Sequence, residues 1–277
     1  LGFATILNRR IRFIDVSWVP IPVDWMCRLY AYWLHCFTAI PVNITSLLLS
    51  SLKTDVVCVD NEIESILPFE PLEFEIAVNY ALEKEKNSRV FSHWSDVPPE
   101  NMCDLLPLCE FESSEFIIEE HGINIPAIPE HVFPVVCQIG GKHGWNHANI
   151  LWEIRGWIDR LLGGVGLQRG RRDLDHLRVG DSVDFWRVEK LELNRELLLR
   201  AEMITPGLSW LEFQLNPDET GGTRLTLKAH FIPKPFWGNL YWMVLSSFHS
   251  YIFKGMLEFF KKKSLEVEPI KAEMESQ

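Results

Sequence analysis

Thr223-Arg224-Leu225-Thr226-Leu227-Lys228-Ala229-His230-Phe231 sets an apolar side chain at every second position and a polar one between. A period of two marks a half-buried antiparallel strand, here with Leu225, Leu227, Ala229 and Phe231 on one face. Upstream, Ser182–Glu192, Glu196–Thr205 and Ser209–Leu215 alternate or nearly alternate. Turn residues separate the segments at Asn194, Pro206-Gly207 and Gly221-Gly222, where the chain can reverse. Such a meander has one apolar face to cover. Its cover follows at once. From Phe236 to about Lys263, the residues Trp237, Leu240, Tyr241, Val244, Leu245, Phe248, Ile252, Met256 and Phe259 form a broad apolar stripe at helical spacing. Lys261-Lys262-Lys263 lies at the C-terminal end of that helix, where cations complement its dipole.

The predicted fold class is therefore α+β: a curved antiparallel sheet around a long C-terminal helix, the helix-grip arrangement. The space between sheet and helix is either a ligand cavity or a packed core. Working toward the N-terminus, Asn149–Leu162 is a predicted helix with Leu151, Ile154, Ile158 and Leu161 on one face. Val132–Ile139 is a predicted strand ended by Gly140-Gly141. Residues 96–130 are an acidic linker punctuated by Pro98, Pro99, Pro107, Pro126 and Pro129, of which Phe116-Ile117-Ile118 can pair as a strand. Further upstream come a strand at Ile11–Val16, a helix from Asp24 to about Thr38 ended by Pro41, and a short helix from about Thr45. A strand at Val56–Val59 and a helix from Pro71 to about Lys86 complete the pattern. This leaves a truncated α/β remnant at 1–95, the linker at 96–130, a helix-grip domain at 131–263 and a charged tail at 264–277.

Charge divides the chain in the same place. Residues 1–52 carry four bases and two acids, residues 53–130 four bases and eighteen acids, and residues 131–277 nineteen bases and eighteen acids. The net charge of −11 disfavours nucleic acid and anionic lipid surfaces as partners, because both require a positive field. Six cysteines, without a Cys-x-x-Cys pair, fit reduced thiols in a cytoplasmic protein better than a disulfide framework or a structural zinc site. The apolar stretch Tyr30–Leu49 is interrupted by His35, Pro41 and Asn43, which favours a packed helix pair over a bilayer span. The chain begins in mid-pattern at Leu1, so truncation of a longer protein is expected.

Two resemblances extend the reading. Residues Tyr32–Pro41, Leu52–Asp60 and Ala77–Leu82 resemble the substrate-side part of atypical short-chain dehydrogenases of the NAD(P)-binding, epimerase-like and NmrA-like group. Gly144-Trp145, Leu151-Trp152, Arg155-Gly156, Asp159-Arg160, Gly163–Gly166, Arg169–Arg172, Leu177–Asp181, Asp184–Val188 and Trp210–Phe213 resemble the domain of unknown function often fused behind such proteins, with a START or polyketide-cyclase-like fold. Together they imply a two-domain, NAD(P)-dependent oxidoreductase-like parent. Its N-terminal nucleotide-binding domain is missing here, since no Gly-x-Gly-x-x-Gly follows a strand near the start. No cofactor is expected in this chain itself.

Individual chemical candidates are weak. Gly163-Gly164-Val165-Gly166 with Arg169, Arg171 and Arg172 is the nearest approach to an anion clamp, but it follows a helix rather than a strand, as a C-cap does. Tyr80 and Lys84 share the Tyr-x-x-x-Lys spacing of a proton-transfer couple, yet sit in an acidic helix where a surface contact is the commoner outcome. His143 and His147 have helical metal-ligand spacing but lack a third ligand. No catalytic residue and no metal site are assigned. The aromatic residues carry more. Trp145, Trp152, Trp186, Trp210, Phe213, Trp242 and Phe248 fall on elements that face one another, with Arg155, Arg200 and Glu212 interleaved as candidates to orient a head group. Core packing is the usual role of such stripes. The expected function is the C-terminal portion of an oxidoreductase-like protein whose helix-grip domain encloses a hydrophobic small molecule. A stand-alone carrier of such molecules is the alternative, and a membrane-surface or assembly module built on the last helix is a third.

Overall fold

In the computed structural model, residues 24–37, 40, 42–51, 66–67, 70, 72–86, 108, 116–169, 171–173, 176–219 and 221–275 are described. The chain divides into two units, residues 1–92 and 93–277.

In the first unit, α1 (Asp24–Phe37), α2 (Val42–Ser51) and α3 (Phe74–Lys86) are the defined elements. On α1, Cys27, Ala31 and His35 are buried, a spacing of four that places them on one helix face. α1 packs on α2, and His35 Nδ1 meets the Ile40 carbonyl at 3.1 Å across the turn. α2 begins three residues earlier than Thr45. The predicted strands Ile11–Val16 and Val56–Val59 lie outside the described residues.

The second unit has the expected α+β architecture. A six-stranded antiparallel sheet has the order β1-β6-β5-β4-β3-β2, built from β1 (Ile117–Ile125), β2 (Ser182–Val183), β3 (Trp186–Glu192), β4 (Glu196–Ala201), β5 (Gly207–Pro217) and β6 (Thr223–Pro233). Two helices, α4 (Pro129–Val136) and α5 (Asn149–Leu161), come between β1 and β2, and α6 (Trp237–Glu275) ends the chain. The β5–β6 hairpin is in register along its whole length, from Gly207 opposite Pro233 to Pro217 opposite Thr223. Leu211, Phe213, Leu215, Leu225, Leu227 and Ala229 therefore share one face and form the core with Ile252, Phe253, Met256 and Phe260 of α6. Phe213 meets Phe260 edge-on at 5.9 Å. Burial of each such side chain stabilises the fold by about 1.5–3 kcal/mol.

Four expectations are corrected. Val132–Ile139 is not a strand: Pro129 takes a first-turn position of α4, where its missing N–H costs nothing, and Val132, Phe133, Val135 and Val136 are all buried. Pro134 between them is exposed, so the buried positions follow helical spacing, but an unbroken apolar run this short does not reveal its period in the sequence. Nor is the sheet confined to residues after 131, because β1 comes from the stretch read as linker and pairs from Ile117↔Phe231 to Ile125↔Thr223. Ser182–Glu192 is not one strand. Asp184, at φ 54°, begins a two-residue turn that folds it into the β2–β3 hairpin, with Val183 opposite Trp186. Finally, α6 continues past Lys263 to Glu275, through most of the expected tail.

Candidate functional site

α6 touches the sheet along only part of its length. Met256 and Phe260 are fully buried against it, whereas Phe248, two turns earlier, is 50% exposed. The wedge left between the sheet and the first half of α6 is a cavity of about 360 Å³. Its floor is the inward face of β5 and β6, where Ser209, Leu211, Ala229 and Phe231 present small or apolar groups; α6 contributes Trp242, Leu245, Phe248, His249 and Phe253. The remaining wall is α5, through Leu151, Trp152, Ile154, Arg155 and Ile158. This explains a departure from helix patterning. Ile154 and Ile158, on the stripe expected to be buried, are 52% and 47% exposed because they face this open space.

Of the residues proposed from sequence, Trp152, Arg155, Trp186, Trp242 and Phe248 line the cavity. Trp242 stacks on Phe231 at 5.1 Å with an 11° interplanar angle. Trp210 borders the cavity, but its ring lies against Phe116 and its Nε1 donates to Glu189 at 3.0 Å. Trp145 lies behind the wall, 4.9 Å from Trp152 and 6.1 Å from Phe185, and is itself 2% exposed. Phe213 is core. Arg200 and Glu212 do not face the cavity. Strand alternation sends them to the opposite face with Trp210, where Arg200 approaches Glu189 at 3.8 Å and Glu212 binds His230 Nε2 at 2.7 Å. Burial tends to raise the Glu212 carboxyl, but hydrogen bonding and charge from His230, with Lys228 and Gln214, hold it below its ordinary value.

Polar groups around the cavity are few, and most are committed elsewhere. Arg155 Nη2 donates to the Ile204 carbonyl at 2.7 Å, and Nη1 stands 3.6 Å from Asp159 Oδ1. The indole Nε1 groups of Trp152 and Trp186 are buried without a hydrogen-bond partner among the described residues. On the α6 wall, Tyr241 and His249 are the ionisable side chains that line the cavity, His249 lying as one polar residue in an apolar stripe.

The other sequence candidates have structural employment. The Gly163–Gly166 loop is folded around Asp159: Gly166 N–H donates to Asp159 Oδ2 at 2.8 Å, and a Cβ on Gly164 would come within 2.4 Å of that carboxylate. A buried carboxylate thus occupies the place a pyrophosphate would need, so the loop does not fit a dinucleotide. Arg171 donates to the Cys137 and Ile139 carbonyls, and Arg172 grips Asp181 with two bonds of 2.9 Å. Tyr80 and Lys84 are exposed on α3. His147 packs on Tyr251 with ring centroids 4.8 Å apart. Among the described residues, no cluster of three His, Cys, Asp or Glu side chains is disposed to hold a metal ion, and no helix is long and apolar enough to cross a membrane.

Comparison with known proteins gives one family. The model described as "Protein of unknown function (DUF2867)" matches residues 118–256, which span β1 to the middle of α6. No curated protein matches the chain. Among solved structures, it is similar to protein MLL2253 from Mesorhizobium loti at 14% identity, covering 53% of this chain and 97% of that one with a TM-score of 0.31. It is also similar to the Zhui aromatase/cyclase from Streptomyces sp. R1128, at 13% identity, 54% and 93% coverage and a TM-score of 0.32. A third, the protein of unknown function SA2116 from Staphylococcus aureus, has 17% identity, 57% and 97% coverage and a TM-score of 0.31.

Proposed function

This chain belongs to the DUF2867 family of proteins of unknown function, and from that premise we propose that its second unit binds an apolar small molecule. The ligand lies between the inward face of β5 and β6, the Leu151–Ile158 face of α5 and the first half of α6. One observation carries this reading: the separation of α6 from the sheet leaves a space walled by aromatic and aliphatic side chains. A filled core would have buried Ile154, Ile158 and Phe248, which are instead about half exposed. Apolar groups kept at such an opening gain stabilisation when a ligand removes them from water, at roughly 25 cal/mol per Å².

The family match begins at residue 118 and gives no support to a short-chain-dehydrogenase-like parent or to NAD(P). The reading is accordingly that of a binding domain, with no chemical step assigned.

N-phenyl-1-naphthylamine tests it. The dye is expected to brighten in the cavity and to quench tryptophan emission by energy transfer from Trp152, Trp186 and Trp242. Saturable binding at one site per chain supports the assignment. Absence of dye uptake, together with an apo mass in native mass spectrometry after purification from cells, rejects it.

A further inference from the structure

β1 carries polar side chains on the face where a buried strand would carry apolar ones. Along this edge strand the less exposed positions are Ile117, Glu119, His121, Ile123 and Ile125, so Glu119 and His121 share the face turned toward α6. His121 Nε2 and Glu119 Oε1 are 2.8 Å apart, and the His121 ring meets Phe253 edge-on at 6.0 Å. The second Glu119 oxygen, Oε2, is 3.7 Å from Nδ1 of His249 on α6. Burial tends to raise the Glu119 carboxyl, yet the hydrogen bond with His121 and the nearby His249 ring hold it below its ordinary value. It is a carboxylate kept ionised beside two imidazoles.

The His249 ring is fixed by its neighbours. It stacks on Phe253 at 5.2 Å with a 23° interplanar angle and meets Trp242 edge-on at 5.3 Å. All three line the cavity. A carboxylate beside Nδ1 favours a proton on that nitrogen, which leaves Nε2, across the ring, with its lone pair. Nδ1 itself is buried and, at 3.7 Å from the carboxylate, is held by charge rather than by a hydrogen bond; Nε2 makes no hydrogen bond among the described residues either. Besides the Tyr241 hydroxyl, the α6 wall of this largely apolar space thus holds an imidazole nitrogen free to accept.

Resting on the cavity assignment above, we propose that His249 anchors the ligand, that the ligand is an apolar molecule bearing a hydroxyl group, and that Glu119 is the positioning residue. The hydroxyl donates to His249 Nε2 while the remainder lies against the aromatic walls. A ligand carrying only acceptors gains nothing from that nitrogen.

The test compares 2-naphthol with 2-methoxynaphthalene, which keeps the ring system and replaces the donor with an acceptor. Tryptophan quenching of the full chain gives both affinities. Wild type is expected to prefer 2-naphthol by about threefold to tenfold, the value of one net hydrogen bond. H249F abolishes the preference while retaining 2-methoxynaphthalene, H249Q restores part of it through its amide oxygen, and E119L weakens it without changing any group that touches the probe. Equal affinities in wild type, or a preference that survives H249F, overturn the anchor and leave the cavity standing. If neither probe binds, the cavity assignment fails and the anchor with it.

Discussion

Trp145 and Asp184 are joined by a buried hydrogen bond, indole Nε1 donating to Oδ2 at 2.9 Å, and the same oxygen takes the Gly141 amide at 3.1 Å. One carboxylate, at the turn that starts the β2–β3 hairpin, ties that hairpin to the loop before α5. Burial drives its pKa upward, and the two N–H donors with Arg171 only partly offset the effect. D184A strands both donors and is expected to cost about 2 kcal/mol. D184N keeps an acceptor and a residue type that tolerates positive φ, so it stays near wild type. The pH sign follows. A carboxyl raised in the fold is most favourable when protonated, and its contribution falls as pH rises through the folded value. Urea midpoints of D184N relative to wild type should therefore rise from acid to neutral pH.

Glu212 and His230 give the opposite sign. The Glu212 carboxyl is lowered in the fold, so its contribution is fully present above the ordinary carboxylate range and disappears as pH falls through the folded value. E212Q should lower the urea midpoint at pH 7, and the gap to wild type should close on acidification. A gap that is constant with pH would show that the pair on this face of the sheet contributes no charge-dependent stability.

Cavity filling separates binding from folding. Ala229 and Ser209 are small residues on its floor. S209W places a ring in the space the ligand would take, at a half-buried position outside the packed core. It is expected to weaken N-phenyl-1-naphthylamine binding at least tenfold while shifting Tm by only a few degrees, since the new ring fills open space.

Gly255 lies inside α6, where alanine would ordinarily stabilise a helix by about 1 kcal/mol. Here a Cβ would come within 2.2 Å of the His147 ring. G255A should therefore lower Tm instead of raising it, and G255A combined with H147A should recover part of the loss.

The Cys137 thiol is pushed up to about 12 by burial, Arg171 only partly opposing. Alkylation proceeds through the thiolate. At pH 8, iodoacetamide followed by peptide mass mapping is expected to leave Cys137 unmodified in folded protein and to label it in urea.

What the sequence made legible was whatever repeats on an exposed-to-buried axis. β6, flanked by polar partners at every second residue, and α6, with its long stripe, were both readable. β1 was readable only at its start, through Phe116-Ile117-Ile118, because its inward positions include Glu119 and His121 and hydrophobic alternation fails there. α4 was misread because Val132–Val136 is apolar on all sides. Several aromatic residues that line the proposed cavity were legible, Trp152, Trp186, Trp242 and Phe248 among them, yet the phase of each strand was not. Phe213 points to α6, which forces Trp210 and Glu212 to the other face, and no composition rule gives that choice of sign. His249 escaped notice because its partner is 130 residues earlier in the chain.

The sheet order also sets a schedule for the ribosome. β1 is the first strand of the second unit to be synthesised, but its hydrogen-bonding neighbour is β6, the last, with Asn124 meeting Arg224 across 100 residues. A nascent chain that has passed β1 holds an unpaired edge until Pro233 has emerged, and pairings so distant in sequence form slowly. Fragments ending before Thr223 can carry five of the six strands and still leave β1 without its partner. The sheet of the second unit is thus closed by the last strand made, and its longest-range pairing is also the final one that synthesis permits.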